Sequence, residues 1–233
     1  MKRFYDAVDL REVDTGGWQV TLDGRGIKTV KGTPQVVPRE ELARALAEEW
    51  EAQGEELDPK SFPARDMVDY AIDIVSPEPD ALTDKLIAYG DTDTLLYRAD
   101  PDEPLYARQI EVWDPIVQSF EEREGVELVR VSGIIHRKQS DATFETLRSK
   151  LKAQNPFALA GIEVMTNLAA SLVIGLSAAA EGADAIALWR AASLEEEWQA
   201  DLWGRDYEAE ERRAKREADF LKAQRLTVLA QLN

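Results

Sequence analysis

Asp91 and Asp93 stand one residue apart in the segment YGDTDTLLYRAD, residues 89–100. Aspartates at that spacing hold a divalent cation in phosphatases and sugar transferases when both carboxylates leave the same side of a loop. Joined by the glutamates at 195–197, they would furnish a metal-dependent hydrolase. The phosphatase pattern puts its aspartates at the end of a buried strand, with Thr or Val in fifth place. Here the fifth residue is Leu95, and the preceding DALTDKLIAYG has helical character. Leu82, Leu86, Tyr89, Asp93 and Leu96 recur at spacings of four and three. A helix running unbroken through Gly90 therefore turns Asp93 inward and Asp91, about 200° away, toward solvent. On this reading the two carboxylates do not share a metal. Asp93 is expected to be a buried structural residue paired with an arginine.

His136 is the sole histidine and lies among basic neighbours in GIIHRKQ, so it reads as a surface or loop residue rather than a general base. The absence of cysteine excludes disulfides, thiolate zinc sites and thiol nucleophiles. No GxxxxGK[ST] phosphate loop is present, and Gly24 with Gly26 reads as a hairpin turn. No catalytic residue, metal or cofactor is expected.

The segment SLEEEWQADLWGRDYEAEERR, residues 193–213, combines three consecutive glutamates with two tryptophans. A capping box explains part of it: Ser193 as N-cap, Glu196 as its partner, and Leu194, Trp198 and Leu202 facing the core. Trp203 before Gly204 marks a break that brings an aromatic and several carboxylates to the surface, a combination used in partner recognition. Capping needs only Ser193 and one glutamate. That leaves Glu196, Glu197, Gln199, Trp203, Asp206 and Glu208 as candidate residues for binding a client protein.

The elements that must position these residues follow from composition and period. The chain has 233 residues, 44% of them apolar, enough for a sizeable core. Its 28 Lys and Arg against 45 Asp and Glu give a net charge of -17, which repels nucleic acid and anionic membrane. The start MKRFYDAVDL has no signal-like apolar core, so the mature protein is expected to begin at Met1. The apolar run at 168–180 is too short for the roughly 20 residues of a membrane span and reads as one buried helix.

Residues 1–38 are punctuated by glycine like a meander, with WQVTL, IKTV and QVV as its strands. From Arg39 the period becomes helical, and Leu42, Leu46 and Trp50 share a face on which Trp50 pins the helix to the sheet. DPKSFP at 58–63 is a boundary and SPEPD at 76–80 a second candidate. Beyond it, Ile110, Trp113, Val117 and Phe120 form one helical face, which makes Trp113 structural; Phe144, Leu147 and Leu151 form another. Asn155-Pro156 opens a helix, and only 126–135 suits a strand. Tyr207, Glu211, Ala214, Ala218, Leu221, Arg225 and Val228 trace a long last helix. The expected fold is α+β: a small N-terminal domain at 1–62 containing an antiparallel sheet, then a larger all-helical domain at 63–233.

Six stretches in order carry a resemblance: VTLDGRGIKT (20–29), LARALAEEWEAQGEELDP (42–59), AID (71–73), TDTLLYRA (92–99), QIEVWDP (109–115) and EEEWQADLWGRDYEA (195–209). The chain resembles the family of assembly chaperones that act on the alpha subunit of the F-type ATP synthase catalytic head. The resemblance implies a sheet-containing domain followed by a helical one. It also implies binding of the unassembled alpha subunit until the beta subunit takes its place, with no catalysis and no cofactor. The setting implied is cytoplasmic in bacteria and the mitochondrial matrix for eukaryotic relatives. Thr92-Asp93 matches a family position, whereas Asp91 sits where the family often has a small residue. Arg65-Asp66 departs from the Thr-Arg pair usual in the family. Such a protein has a clear physical task, since a ring subunit exposes large apolar interfaces before its neighbours arrive.

Overall fold

Val8, Leu10, Trp18, Val20 and Leu22 supply the apolar sheet positions at the N-terminus of this computed structural model, which describes residues 1–14, 16–133 and 137–231. Strands β1 (Val8–Glu12) and β2 (Trp18–Leu22) pair antiparallel, Val8 opposite Leu22 and Glu12 opposite Trp18. β3 (Arg25–Gly26) and β4 (Val36–Val37) both pair antiparallel with β2, at its end and its start. Asp23 and Gly24 turn the β2–β3 hairpin with positive φ, as the DGRG reading required. IKTV is not a strand: of its residues only Lys28 makes an isolated bridge, to Pro34. β1 was missing from the expected strands because three of its five residues are charged and only one face is partly buried.

Helix α1 (Glu40–Glu51) buries Leu42, Leu46 and Trp50, the face anticipated from spacing. The Trp50 ring lies 5.6 Å from Tyr5 and 4.6 Å from Phe62, and the Tyr5 hydroxyl donates to the Trp50 carbonyl at 2.7 Å. α2 (Pro63–Tyr70) continues into a π-helical turn, Ala71–Val75. The buried Glu49 carboxylate accepts from the N–H groups of Ala64 and Arg65 at the start of α2, at 2.8 and 3.0 Å, and meets Lys222 at 3.2 Å. Asp69 and Asp73, one turn apart, accept from Val30 N–H and from Thr29 hydroxyl and Lys31 N–H, so carboxylates on helices hold the sheet's turn. Arg65 pairs with Asp66 and lies over the Phe62 ring.

The remaining helices are α3 (Pro79–Tyr89), α4 (Pro104–Glu124), α5 (Asp141–Lys152), α6 (Pro156–Ala169), α7 (Leu172–Ala178), α8 (Ala185–Ala192), α9 (Leu194–Trp203) and α10 (Tyr207–Gln231). Asn155 caps α6, accepting from Phe157 and Ala158 N–H. β5 (Tyr97–Arg98) and β6 (Val131–Ser132) form a short parallel pair, so within 126–135 the described strand is two residues long. His136 lies outside the described residues.

One expectation is corrected: the run 168–180 is two helices, because Ala170 adopts the left-handed conformation at φ 48° and Ser171 caps α7 by accepting from Ile174 N–H. The long last helix is α10, as the spacing from Tyr207 to Val228 anticipated, and its buried residues are Phe220, Ala223, Leu226, Thr227 and Ala230. That face is set by close approach to α6: a Cβ on Gly161 would stand 1.9 Å from the Thr227 hydroxyl. One cluster of buried apolar residues extends from Tyr5 to Ala230. Among the described residues, no helix is long and apolar enough to cross a membrane.

Candidate functional site

The DTDT segment is a clasp. α3 ends at Tyr89 with Gly90 as its C-cap, and Asp93 begins a single 3-10 turn, Thr94–Leu96. The helix therefore does not run through Gly90; aspartate's preference for capping prevails over continuing the helical face. Asp93 is fully buried, as expected, but by another route and with other partners. Its Oδ1 accepts from Leu95 N–H at 3.0 Å and its Oδ2 from Val173 N–H at 2.9 Å, with further bonds from the Ser171 hydroxyl and Leu172 N–H. These donors stand where an arginine was expected. Thr94 donates through its N–H and hydroxyl to the Ala170 carbonyl, at 3.1 and 2.9 Å.

The clasp thus closes on the break between α6 and α7. Burial pushes the Asp93 carboxyl up to about 6, against the downward pull of these donors. Asp91 lies on the turn, half-buried rather than facing solvent, and accepts from Gln139 N–H at 3.4 Å. Both Asp93 oxygens are committed to N–H groups. Among the described residues, no group of three or more His, Cys, Asp or Glu is placed to hold a metal ion.

A second interior network anchors α9. Trp113 is fully buried on α4; its indole N–H donates to the Ala191 carbonyl at 2.8 Å, and the Arg98 guanidinium lies 5.3 Å from its ring. Gln109, also fully buried, accepts from Ala99 N–H and donates to Glu195 Oε1 at 2.7 Å. Glu195 is therefore tied into the body of the protein, and burial raises its carboxyl above the ordinary range.

Beyond Glu195 the chain turns outward. Ser193 makes no side-chain cap, so the expected capping box is not formed. Its N–H already bonds Trp189 and its carbonyl accepts from Glu197, which runs α8 almost directly into α9. Leu194 is buried, Trp198 half-buried and Leu202 64% exposed, so that face does not all reach the core. Trp203 is 88% exposed, Gly204 reverses the chain at φ 98°, and Tyr207 opens α10 at 80% exposure.

α9 and the charged half of α10 are bridged by arginines. Arg216 meets Glu196 at 2.7 Å, Arg213 meets Glu197 at 2.7 Å and Glu210 at 2.8 Å, and Arg205 meets Glu197 at 3.0 Å and Asp201 at 2.9 Å. Glu196 and Glu197 thus both carry structural duty, Glu196 by pairing with arginines rather than through the expected capping box, and Glu197 where none was expected. Asp206 accepts from Ala209 N–H at 3.1 Å and caps α10, while Glu208 is exposed on its first turn, 3.7 Å from Arg212. Glu196, Gln199, Trp203 and Asp206 converge on one cleft of about 580 Å³, and Glu197 lines the neighbouring one. Sequence reasoning missed Arg205, Arg213 and Arg216. Their spacing relative to the glutamates was the available signal, a set of opposite charges flanking the Gly204 turn.

The site presents aromatic and apolar side chains beside a charge-laced cleft. Comparison with known proteins agrees with an architecture of this kind being shared. The chain is 31% identical over 208 residues to the mitochondrial protein atp12 of Schizosaccharomyces pombe, covering 83% of this chain and 70% of that one. It is 27% identical to mitochondrial ATP12 of Saccharomyces cerevisiae, over 87% of this chain and 76% of the relative. The crystal structure of Atp12 from Paracoccus denitrificans superposes with a TM-score of 0.92 at 35% identity, covering 99% of this chain and 98% of that one. The Atu1473 protein of Agrobacterium tumefaciens superposes with a TM-score of 0.93, also at 35% identity, over all of this chain and 86% of its own. The sequence model for ATP12 chaperone protein matches residues 2–121, the sheet, the clasp and α4 up to Glu121, and the chain therefore belongs to the ATP12 chaperone protein family.

Proposed function

We propose that this protein binds the unassembled alpha subunit of the F-type ATP synthase catalytic head and keeps it from aggregating until the beta subunit takes its place, without catalysis or cofactor. Family membership supports the chaperone role. The observation that carries the site is Trp203, a large aromatic left 88% exposed at the end of α9, with Leu202 and Tyr207 exposed beside it. Aromatic anchors of this kind dominate binding energy at protein interfaces when they are desolvated by a partner. Gln199, Asp206 and Glu208, with Glu196 and Glu197, surround that anchor with the polar rim of a reversible contact. The reading keeps residues 1–62 and 63–233 as two domains, acting in the bacterial cytoplasm or, for eukaryotic relatives, the mitochondrial matrix.

The test is light scattering of alpha subunit diluted from denaturant, with parent or Trp203→Ala protein present. The variant should melt like the parent and protect poorly. Equal protection would place the client surface elsewhere. Calorimetric titration with magnesium or manganese should release no binding heat; measurable heat would favour the hydrolase reading.

A further inference from the structure

The geometry points to a two-position device in the proposed client site: α9 leaves its seat on α10 for a second seat against α4 and α8, and charge decides between them. Of the ten residues of α9 only Leu194 is buried, whereas α7 buries six of its seven. Open space flanks α9 on two sides. Glu196, Gln199, Ala200 and Trp203 line the cleft of about 580 Å³ toward α10. Leu194, Glu197, Trp198 and Asp201 line the other, of about 620 Å³, toward α4 and α8. At 3.6 residues per turn these two sets lie on opposite faces of the helix.

The present seat is electrostatic. Among the described residues, every side-chain hydrogen bond or ion pair that joins residues 196–203 to another helix ends on Arg213 or Arg216. The Glu197 and Glu196 side chains are 39% and 46% exposed, and pairs of that kind contribute little each and weaken as salt screens them. The outer end adds no anchor, since a Cβ on Gly204 would meet nothing within 4 Å. The inner end is fixed: Leu194 is buried and Glu195 accepts from the buried Gln109 amide, so α9 pivots there.

The second seat is apolar. Val112 of α4 and Trp189 of α8 line the 620 Å³ cleft together with Leu194 and Trp198 of α9. Trp198 is half-buried, and its ring packs on no other aromatic ring among the described residues. Tilting α9 into this cleft covers Trp198 and frees Glu196 and Glu197 from Arg213 and Arg216. Burial of apolar surface is not screened by salt, so salt favours the second seat and its absence the first. Only in the second seat are both carboxylates free to meet a client. The inference thus concerns regulation of the site proposed above and rests on that reading for its consequence.

The chain has no cysteine, so spin labels attach only where Ala107→Cys on α4 and Ala200→Cys on α9 place them, and double electron–electron resonance reads the distance between the two. Raising NaCl from about 0.01 M to about 1 M cuts the screening length from about 30 Å to about 3 Å and should move the distribution from a longer distance to a shorter one. Arg213→Gln should give the shorter distance already at low salt, and Trp198→Ala should abolish the shift by leaving the second seat unfilled. A single distance at every salt concentration would overturn the proposal, and so would a lengthening, which would show α9 cast loose rather than reseated. These measurements use the chain alone, so their outcome is separate from that of the Trp203→Ala test above. In a complex with the alpha subunit at low salt the shorter distance is expected; a complex that keeps the longer one would overturn the link between the second seat and the client.

Discussion

Asp93 and Val173 lie 80 residues apart in sequence and are joined by a 2.9 Å hydrogen bond from the Val173 N–H to Asp93 Oδ2. The bond ties the turn after α3 to the first turn of α7. Asp93 Oδ1 serves Leu95 in the same way, so both oxygens of one carboxylate act only as acceptors.

Replacing Asp93 by Asn keeps its size but turns an amide N–H₂ toward donors that a carboxylate oxygen had accepted from. Asp93→Asn should therefore cost about 1–3 kcal/mol, and Asp93→Ala more, since it strands all of these donors in a dry interior. Asp91→Ala, at a half-buried turn, should cost clearly less. Urea unfolding of the three variants decides it, and equal losses at 91 and 93 would dissolve the clasp.

The same carboxylate makes stability depend on pH. Its folded pKa of about 6 lies above its ordinary unfolded value near 4, so the folded state binds the proton more tightly. That contribution is fully present below about pH 4 and is lost as pH rises through about 6. Between pH 7 and pH 5 the parent should gain about 1 kcal/mol relative to Asp93→Asn, which has no such titration. Paired urea melts at the two values provide the check, and a constant difference would remove Asp93 as the titrating group.

Trp50 is wedged between Tyr5 and Phe62 where α1 meets the sheet. Truncation to Ala removes both ring contacts and opens a cavity, at a cost of about 3–5 kcal/mol. A thermal melt matching the parent would contradict this packing.

Legibility of the sequence tracked the range of the interactions. The α1 face of Leu42, Leu46 and Trp50 and the Asn155 cap of α6 are set by residues within one or two turns, and spacing alone revealed them. The inward position of Asp93 was legible too, but its partners were not. The α6–α7 break rests on an alanine in the left-handed conformation, Ala170, where no glycine marks the turn. The arginines facing Glu196 and Glu197 come from the next helix, so no local pattern separates a free carboxylate from a paired one. At β1, charged residues on the exposed side masked the alternation.

Those pairings change what charge reversal at 196 and 197 should do. The Arg213 side chain is 12% exposed and approaches Glu196, Glu197 and Glu210, while Arg216 meets Glu196. Lysine at both positions would leave these arginines facing added cations. The double reversal should therefore lower stability by about 1–2 kcal/mol, the scale of a few partly exposed pairs lost and replaced by repulsion. Poor protection of the alpha subunit by that variant would not by itself separate contact from loosening of α9. Glutamine at both positions does, since its carbonyl still accepts from the arginines and no repulsion is added. The Gln variant should melt within a degree or so of the parent, on the scale of a small surface change. If these carboxylates meet the client, it should nonetheless suppress light scattering less well. Full protection by the Gln variant would confine Glu196 and Glu197 to holding α9 on α10, and leave recognition to Trp203 and its exposed neighbours.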